Sequence, residues 1–539
     1  MTVFRTSFAE NIFMKYMVHQ YDTWDAISFR TVQGVCKGLM SPDEIDQLIL
    51  YVQQMKFIPG GRYLFYSGTA LRYWNNCYLF RALEDTREEL ADFSWRMNRA
   101  LLTGGGAGGD YSILRGKGEP CVRSRGIAAG PISLMRAVND TAREWRQGGG
   151  RRAALYASLM WNHQDAPDLI HAKDWSPDVR TMKDKDQNFT APLDMTNISL
   201  NYDDAFMNQV KEEGSRAYYQ WYEAIRQMLK TGEPGCSFNF GRDSNETLRN
   251  ACCEVTSEDD SDVCNLGSVN ISRISNINEL ADVVHLGSKF LVCGSIGAEL
   301  PFKKVYDVRA KNRRIGLGMM GIHEWLLRRN YSYQMNQELQ GWLYTYEWAS
   351  VEAANEQSDK LSINRPIKYR AIAPTGTIGI LASTTTGIEP VFATAYKRRY
   401  VDNGGNLWKH EYVVDGTADY LIKKFDLEPD SIETAYSLAA DPEKRIKFQY
   451  EVQKYVDHAI SSTINLPAWD SLGNNDETVE DFADMLLRYA PGLRGITVYP
   501  DGARGGQPLT EVPYEWALQK KGVVYDENEE RCISGVCGI

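Results

Sequence analysis

The stretch 246–272, ETLRNACCEVTSEDDSDVCNLGSVNIS, restricts this chain more than any other. It sets an amide, a thiol and a carboxylate at alternate positions, Asn250, Cys252 and Glu254, and places Cys264 twelve residues beyond Cys252. In extended backbone, side chains at i, i+2 and i+4 share one direction. An extended tip would therefore aim a hydrogen-bonding group, a sulfur and a general base into one pocket. Cys253 would face the other way, as packing. Free cysteine is among the most buried residue types, so a pair of core cysteines in a loop explains the thiols equally well at this point.

The chain has ten cysteines, and their meaning depends on the compartment. No basic leader followed by an apolar run is present, and no apolar stretch is expected to be long enough to span a bilayer. The expectation is a cytoplasmic protein, where cysteines serve catalysis or redox exchange rather than structural disulfides. A net charge of −11 argues against a nucleic-acid duplex as partner. It leaves room for a nucleotide, because backbone N–H groups and a few arginines can hold phosphates.

Apolar spacing predicts a largely helical segment over 1–58. Its clearest helix starts at Ser41-Pro42-Asp43-Glu44, with Ser41 as N-cap, and buries Ile45, Leu48, Ile49 and Val52. Tyr63–Tyr66 reads as a short buried strand and Asn75–Phe80 as a second, with Cys77 near its start; a helix follows from Arg87 to Leu102. Gly104–Gly109 carries five glycines in six residues, which lets a backbone approach a ligand closely, or makes a flexible connector. Gly148, Gly149 and Gly150 are followed by the cations Arg151 and Arg152, which favours phosphate contact. From Phe189 strands and helices alternate: a strand at Met195–Leu200, an amphipathic helix over 216–230, and a helix in much of 274–300. That order predicts an α/β sheet or barrel. Gly316, Gly318 and Gly321 suggest close packing rather than a cofactor fingerprint. Pro374, Thr375, Gly376, Thr377 and Ile378 form a hydroxyl-rich turn, either an anion site at a helix start or an ordinary turn. Arg494–Tyr499 is a final strand, and 507–539 reads as a flexible polar tail.

That tail ends with Cys532 and Cys537. Termini are usually poorly ordered, so the pair has little packing purpose. A zinc site needs further ligands that the last 33 residues do not contain, so a shuttling dithiol is the better reading. Taken together, Asn75-Asn76-Cys77, Asn250-x-Cys252-x-Glu254, Cys264-Asn-Leu-Gly-Ser268, Pro374-Thr-Gly-Thr-Ile378 and the Cys532/Cys537 pair resemble the catalytic subunit of ribonucleotide reductases, in that family's order. The resemblance runs from about Phe57 to the last residue.

What it implies is a ten-stranded α/β barrel of two antiparallel five-stranded halves over 59–506, with the Asn250–Glu254 loop as a central finger. Cys252 would carry a transient thiyl radical, Glu254 would deprotonate the ribose 3′ hydroxyl, and Asn250 would hold the substrate. Cys77 and Cys264 would supply two electrons and form a disulfide, which Cys532 and Cys537 restore. The 374–378 turn would hold phosphates. Gly104–Gly109 and Gly148–Arg152 resemble the substrate and specificity loops. The implied partners are a ribonucleoside di- or triphosphate, a deoxynucleotide effector, a thioredoxin- or glutaredoxin-type reductant and a second copy as homodimer. Val498-Tyr499-Pro500 offers one tyrosine where a radical relay from a separate metal-bearing subunit would need two. The Ile496–Arg504 run resembles the adenosylcobalamin-dependent branch instead. A ferritin-like partner subunit is the alternative radical source. A nucleotide-binding protein that lost the chemistry would lack one of these residues, and a protein thiol oxidoreductase would not need Asn250, Glu254 or the phosphate turn.

Overall fold

The computed structural model describes residues 4–19, 22–122, 125–144, 153–186, 189–401, 408–503, 509–520 and 523–526. The N-terminal segment folds as the helices Ser7–Met14, Trp24–Cys36 and Pro42–Gln53 before turning extended at Phe57. The third starts as expected. Ser41 Oγ accepts from Glu44 N at 3.4 Å, and Ser41 N donates to the Glu44 carboxylate at 2.9 Å, a reciprocal capping box. Ser41→Ala is expected to lower stability by about 1 kcal/mol, read as a shift of the denaturant midpoint at constant slope.

One sheet carries ten strands: β1 (Phe57–Pro59), β2 (Cys77–Arg81), β3 (Gly106–Asp110), β4 (Leu155–Met160), β5 (Thr196–Asp203), β6 (Gly235–Asn239), β7 (Asp262–Asn270), β8 (Ile315–Met320), β9 (Thr463–Leu466) and β10 (Gly495–Pro500). Their spatial order is β1-β7-β2-β3-β4-β5-β6-β10-β9, with β8 also paired to β7. The five strands β2 to β6 run parallel in sequence order. An antiparallel junction flanks them on each side, β7 against β2 and β10 against β6. Beyond the junctions the pairings β7–β8 and β9–β10 are again parallel. Single bridges, Leu317 with Arg370 and Ile372 with Ile460, set residues 370–372 between β8 and the approach to β9. The pairing among these strands does not close on itself. The fold is thus a mixed α/β body around a large sheet, and among the described residues the expected ten-stranded closure is not present as continuous strand pairing.

Tertiary contacts override local pattern in several places. Gly61–Tyr66 is a short helix, not a strand. Tyr63 and Leu64 are adjacent and both buried while Phe65 is 46% exposed, which strand alternation does not allow. Asn265 Nδ2 donates to the Tyr63 hydroxyl at 2.6 Å and fixes it against β7. Ile277–Gly297, against expectation, is long and apolar enough to cross a membrane, but 72% of its most apolar window is buried inside the protein. Mid-helix Lys289 pairs with Glu44 and Glu356, each at 2.8 Å, as suits a core helix. The glycines of β8 pack as expected: a Cβ on Gly318 would lie 2.8 Å from the Ala371 backbone oxygen. The segment expected as a flexible tail from 507 is structured in part. Leu509–Glu511 and Val524–Asp526 add strands to the hairpin of Ala395–Val401 and Trp408–Val414, with the helix Tyr514–Gln519 between them.

Candidate active site

The chain leaves β6 and returns in β7 through a narrow excursion. Leu248–Arg249 pairs antiparallel with Thr256–Ser257 to make its stem, and residues 250–254 form its tip. The tip is a turn rather than extended chain. Cys253 N donates to the Asn250 carbonyl at 3.0 Å, and Cys253 takes the left-handed φ of 68°. The Asn250 side chain ties the turn as well, its Oδ1 accepting from Val255 N at 2.9 Å. Two ends of the turn, Asn250 and Glu254, still meet at one sulfur. Asn250 Nδ2 donates to Cys77 Sγ at 3.0 Å, and Cys77 Sγ lies 3.7 Å from Glu254 Oε1. Cys252 sits at the apex and is exposed, whereas Asn250 and Glu254 are each 1% exposed.

The glycine run 104–109 finds its reason here. Part of it is β3, and a Cβ on Gly108 would lie 1.7 Å from the Arg249 carbonyl oxygen. The run makes room for the excursion's backbone, and Gly104 and Gly106 also line the cavity at its tip. Gly108→Ala is expected to push the stem away, costing about 1–3 kcal/mol of stability and most of the activity. Thermal unfolding and a turnover assay on the same preparation check both.

Cys77 opens β2 and lies directly opposite Cys264 of β7. Facing residues in an antiparallel pair have Cα atoms about 4.5–5.5 Å apart, inside the range a disulfide spans. The two are unbridged and buried, at 2% and 0% exposure. Burial pushes both thiols well above the ordinary range, and the Glu254 carboxylate adds to the shift in each. At neutral pH they are therefore S–H groups, able to give up hydrogen but poor as thiolate nucleophiles. Burial also raises the Glu254 carboxyl above its ordinary 4.5, partly offset by hydrogen bonds from Asn250 and Cys77. Its second oxygen, Oε2, is buried without a hydrogen-bond partner. An orphaned carboxylate oxygen on a residue that lines a cavity is a place for a ligand hydroxyl.

That cavity, about 250 Å³, also brings in the 374–378 turn: Pro374, Thr375, Gly376, Thr377 and Ile378 all line it. Thr375 adopts a left-handed φ of 49° and its Oγ1 accepts from Gly387 N at 2.8 Å. The helix Gly376–Ala382 starts there, and no heavy atom lies within 4 Å of a Cβ built on Gly376, so its backbone faces open space. Arg62, also in the lining, brings a cation that motif reading missed; the only signal was its place after Gly60-Gly61. Tyr499 lies on β10 with Pro500 paired to Leu466, and it lines a separate cleft with Phe392 and Tyr436. Gly148–Arg152, Cys532 and Cys537 lie outside the described residues.

Residues 75–229, 217–362 and 364–499 match the family described as "Ribonucleotide reductase, barrel domain". The chain belongs to the ribonucleotide reductases. It is 27% identical over 526 residues to the vitamin B12-dependent ribonucleoside-diphosphate reductase of Mycobacterium tuberculosis, covering 85% of this chain and 72% of that one. Against the protein of the same name from Thermoplasma acidophilum it is 26% identical over 543 residues, covering 88% and 67%. The ribonucleoside-diphosphate reductase large chain of Cryptosporidium parvum matches over less of both, 24% identical across 61% of this reductase and 46% of its own length.

Proposed function

We propose that this reductase converts ribonucleotides to 2′-deoxyribonucleotides with adenosylcobalamin as its radical source, and that Asn250, Cys252, Glu254, Cys77 and Cys264 carry the chemistry. The observation that carries the reading is a single cavity lined by an exposed thiol, a buried carboxylate with one unpartnered oxygen, and a buried thiol facing a second across two strands. The names of the relatives from Mycobacterium tuberculosis and Thermoplasma acidophilum support the cofactor and favour a ribonucleoside diphosphate as substrate. Residues 370–372, bridging β8 toward β9, are proposed to complete the barrel.

A cavity of about 250 Å³ has no room for a corrin. The fit rests instead on Cys252, exposed at the apex while the other four residues are buried, so it is the one that a group seated outside can reach. When bound, adenosylcobalamin supplies a carbon-centred radical by homolysis of its cobalt–carbon bond. The chain's residues then divide the work. Cys252, as a thiyl radical, takes the 3′ hydrogen atom from the ribose, and Glu254 Oε2 takes the 3′ hydroxyl proton. The 2′ hydroxyl leaves as water with a proton from the Cys77–Cys264 pair. That pair supplies two hydrogens in all, one to the departing water and one to C2′, and becomes a disulfide; Glu254 returns its proton to the 3′ oxygen and Cys252 returns the hydrogen to C3′. Per turnover one ribonucleotide and two thiols become one deoxyribonucleotide, one disulfide and one water. A metal-bearing partner subunit is the weaker reading, because Pro500 cannot be oxidised where a second relay phenol would stand.

Cys532 and Cys537 are proposed to pass electrons from a thioredoxin-type reductant, and Gly148–Arg152 to respond to a deoxynucleotide effector. Replacing both tail cysteines with serine is expected to limit the enzyme to about one turnover with the protein reductant, since exchange is the only way to reopen a buried disulfide. A small dithiol should partly restore cycling. The function itself is tested anaerobically: the purified chain with adenosylcobalamin, a dithiol and a ribonucleotide should form deoxynucleotide with no second subunit. Activity that appears only with a metal-bearing subunit would overturn the cofactor assignment.

A further inference from the structure

The stem of the excursion ends in a buried carboxylate that the chemistry above does not use. Glu246 precedes the stem and is 7% exposed. Its Oε1 accepts from Arg314 at 3.1 Å, and its Oε2 from Lys368 at 2.5 Å, Arg494 at 3.1 Å and Thr256 Oγ1 at 2.7 Å. Each partner belongs to a different element. Arg314 immediately precedes β8, Lys368 precedes the bridging residues 370–372, and Arg494 immediately precedes β10. Thr256 is on the returning limb of the stem, two residues beyond Glu254. Burial alone would raise the Glu246 carboxyl, but Arg314, Lys368 and Arg494 together hold it well below the carboxylate range.

Arg314 extends the link. Its Nε donates to Asp262 at 2.7 Å, and Asp262 is 0% exposed on β7, two residues before Cys264. A continuous set of charge-assisted contacts thus runs from the limb bearing Glu254, through Thr256, Glu246, Arg314 and Asp262, to the strand bearing Cys264. Such contacts are short and directional, so they fix position more tightly than apolar packing does.

We infer that Glu246 is a positioning residue for the reduction: it latches the stem to the starts of β8 and β10 and, through Arg314 and Asp262, sets where Glu254 and Cys252 stand relative to the Cys77–Cys264 pair. The inference rests on the roles proposed for those four residues. Productive geometry tolerates little error, and a displacement of about 1 Å can cost 10²-fold in rate.

The test compares wild type, Glu246→Gln and the double variant Glu246→Gln/Lys368→Met. The double variant removes one charge of each sign, because an unpaired buried cation alone can destabilise the fold. Four quantities are read: kcat and KM; nucleotide affinity at equilibrium; Cys77–Cys264 disulfide formation by a chemical thiol oxidant without cofactor; and protection of Cys252 from alkylation by bound nucleotide, also without cofactor. In the double variant kcat should fall about 10²-fold with nucleotide affinity and the rate of disulfide formation near wild type. Nucleotide should no longer shield Cys252 as it does in wild type. Unchanged kcat and unchanged protection overturn the inference, as does loss of folding in both variants, which would make the cluster a folding element only. A wild-type protein that forms no deoxynucleotide instead sinks the reading of the site beneath it.

Discussion

Cys252→Ser is expected to bind nucleotide as wild type does and to form deoxynucleotide at a rate lower by about 10⁴-fold or more, the scale seen when a residue that carries the reaction is removed. The substitution is nearly isosteric, and Val255 N bonded to Asn250 Oδ1 and Cys253 N bonded to the Asn250 carbonyl hold the 250–254 turn, so the site should keep its shape. What is lost is an S–H bond weak enough for hydrogen-atom transfer; a serine O–H bond is too strong to serve. Cys253→Ser is the paired control. Cys253 is half-buried and interacts with Arg249, and burial pushes its thiol up to about 12, so it is an inert S–H at neutral pH. Retained activity in Cys253→Ser with loss in Cys252→Ser distinguishes the two adjacent thiols, and turnover in Cys252→Ser would end the assignment.

Glu254→Gln should lower kcat by about 10²–10⁴-fold, the usual contribution of a general base. It should also remove a limb from the pH profile. Burial raises the folded-state pKa of Glu254 above 4.5, so the carboxylate is present above that raised value and is lost as pH falls through it. Wild-type kcat/KM should therefore fall on the acid side at a pH higher than an ordinary glutamate would give, and that limb should be missing in Glu254→Gln. The sign for stability is the reverse of a paired carboxylate's. The folded state binds this proton more tightly than the unfolded state does, so Glu254 destabilises the fold as pH rises through its raised pKa. Glu254→Gln should accordingly be no less stable than wild type near neutral pH, measured as the denaturant midpoint.

Much of the secondary structure is legible because its signals are local. The helix Arg87–Leu102 matches its expected bounds, and the Ser41 capping box is written in four consecutive residues. The expectations that failed depend on distant partners. Tyr63–Tyr66 has strand composition, but Asn265, some two hundred residues away, and the core around it make it helical. The alternate spacing of Asn250, Cys252 and Glu254 suggests extended chain, yet a turn folds Asn250 and Glu254 onto Cys77 and leaves Cys252 outward. The structure brings Asn250, Cys252, Glu254 and Cys77 to one cavity, as the sequence pattern suggests, but their arrangement there is not legible from spacing. Residue spacing does not pair Cys77 with Cys264, and only the family resemblance implies it, because the register that sets them opposite each other belongs to a contact between strands far apart in the chain. Glu246 escaped for the same reason: its cations come from three separate elements.

The central claim is that Cys77 and Cys264 supply the electrons for ribose reduction. Its most direct test is a single turnover of the variant lacking both tail cysteines, with adenosylcobalamin and nucleotide but no external reductant. The reaction is quenched in acid and its disulfides are mapped by mass spectrometry. One Cys77–Cys264 disulfide should appear for each deoxynucleotide formed, and none in a parallel sample of Cys252→Ser. Deoxynucleotide formed while Cys77 and Cys264 both remain as thiols would contradict it.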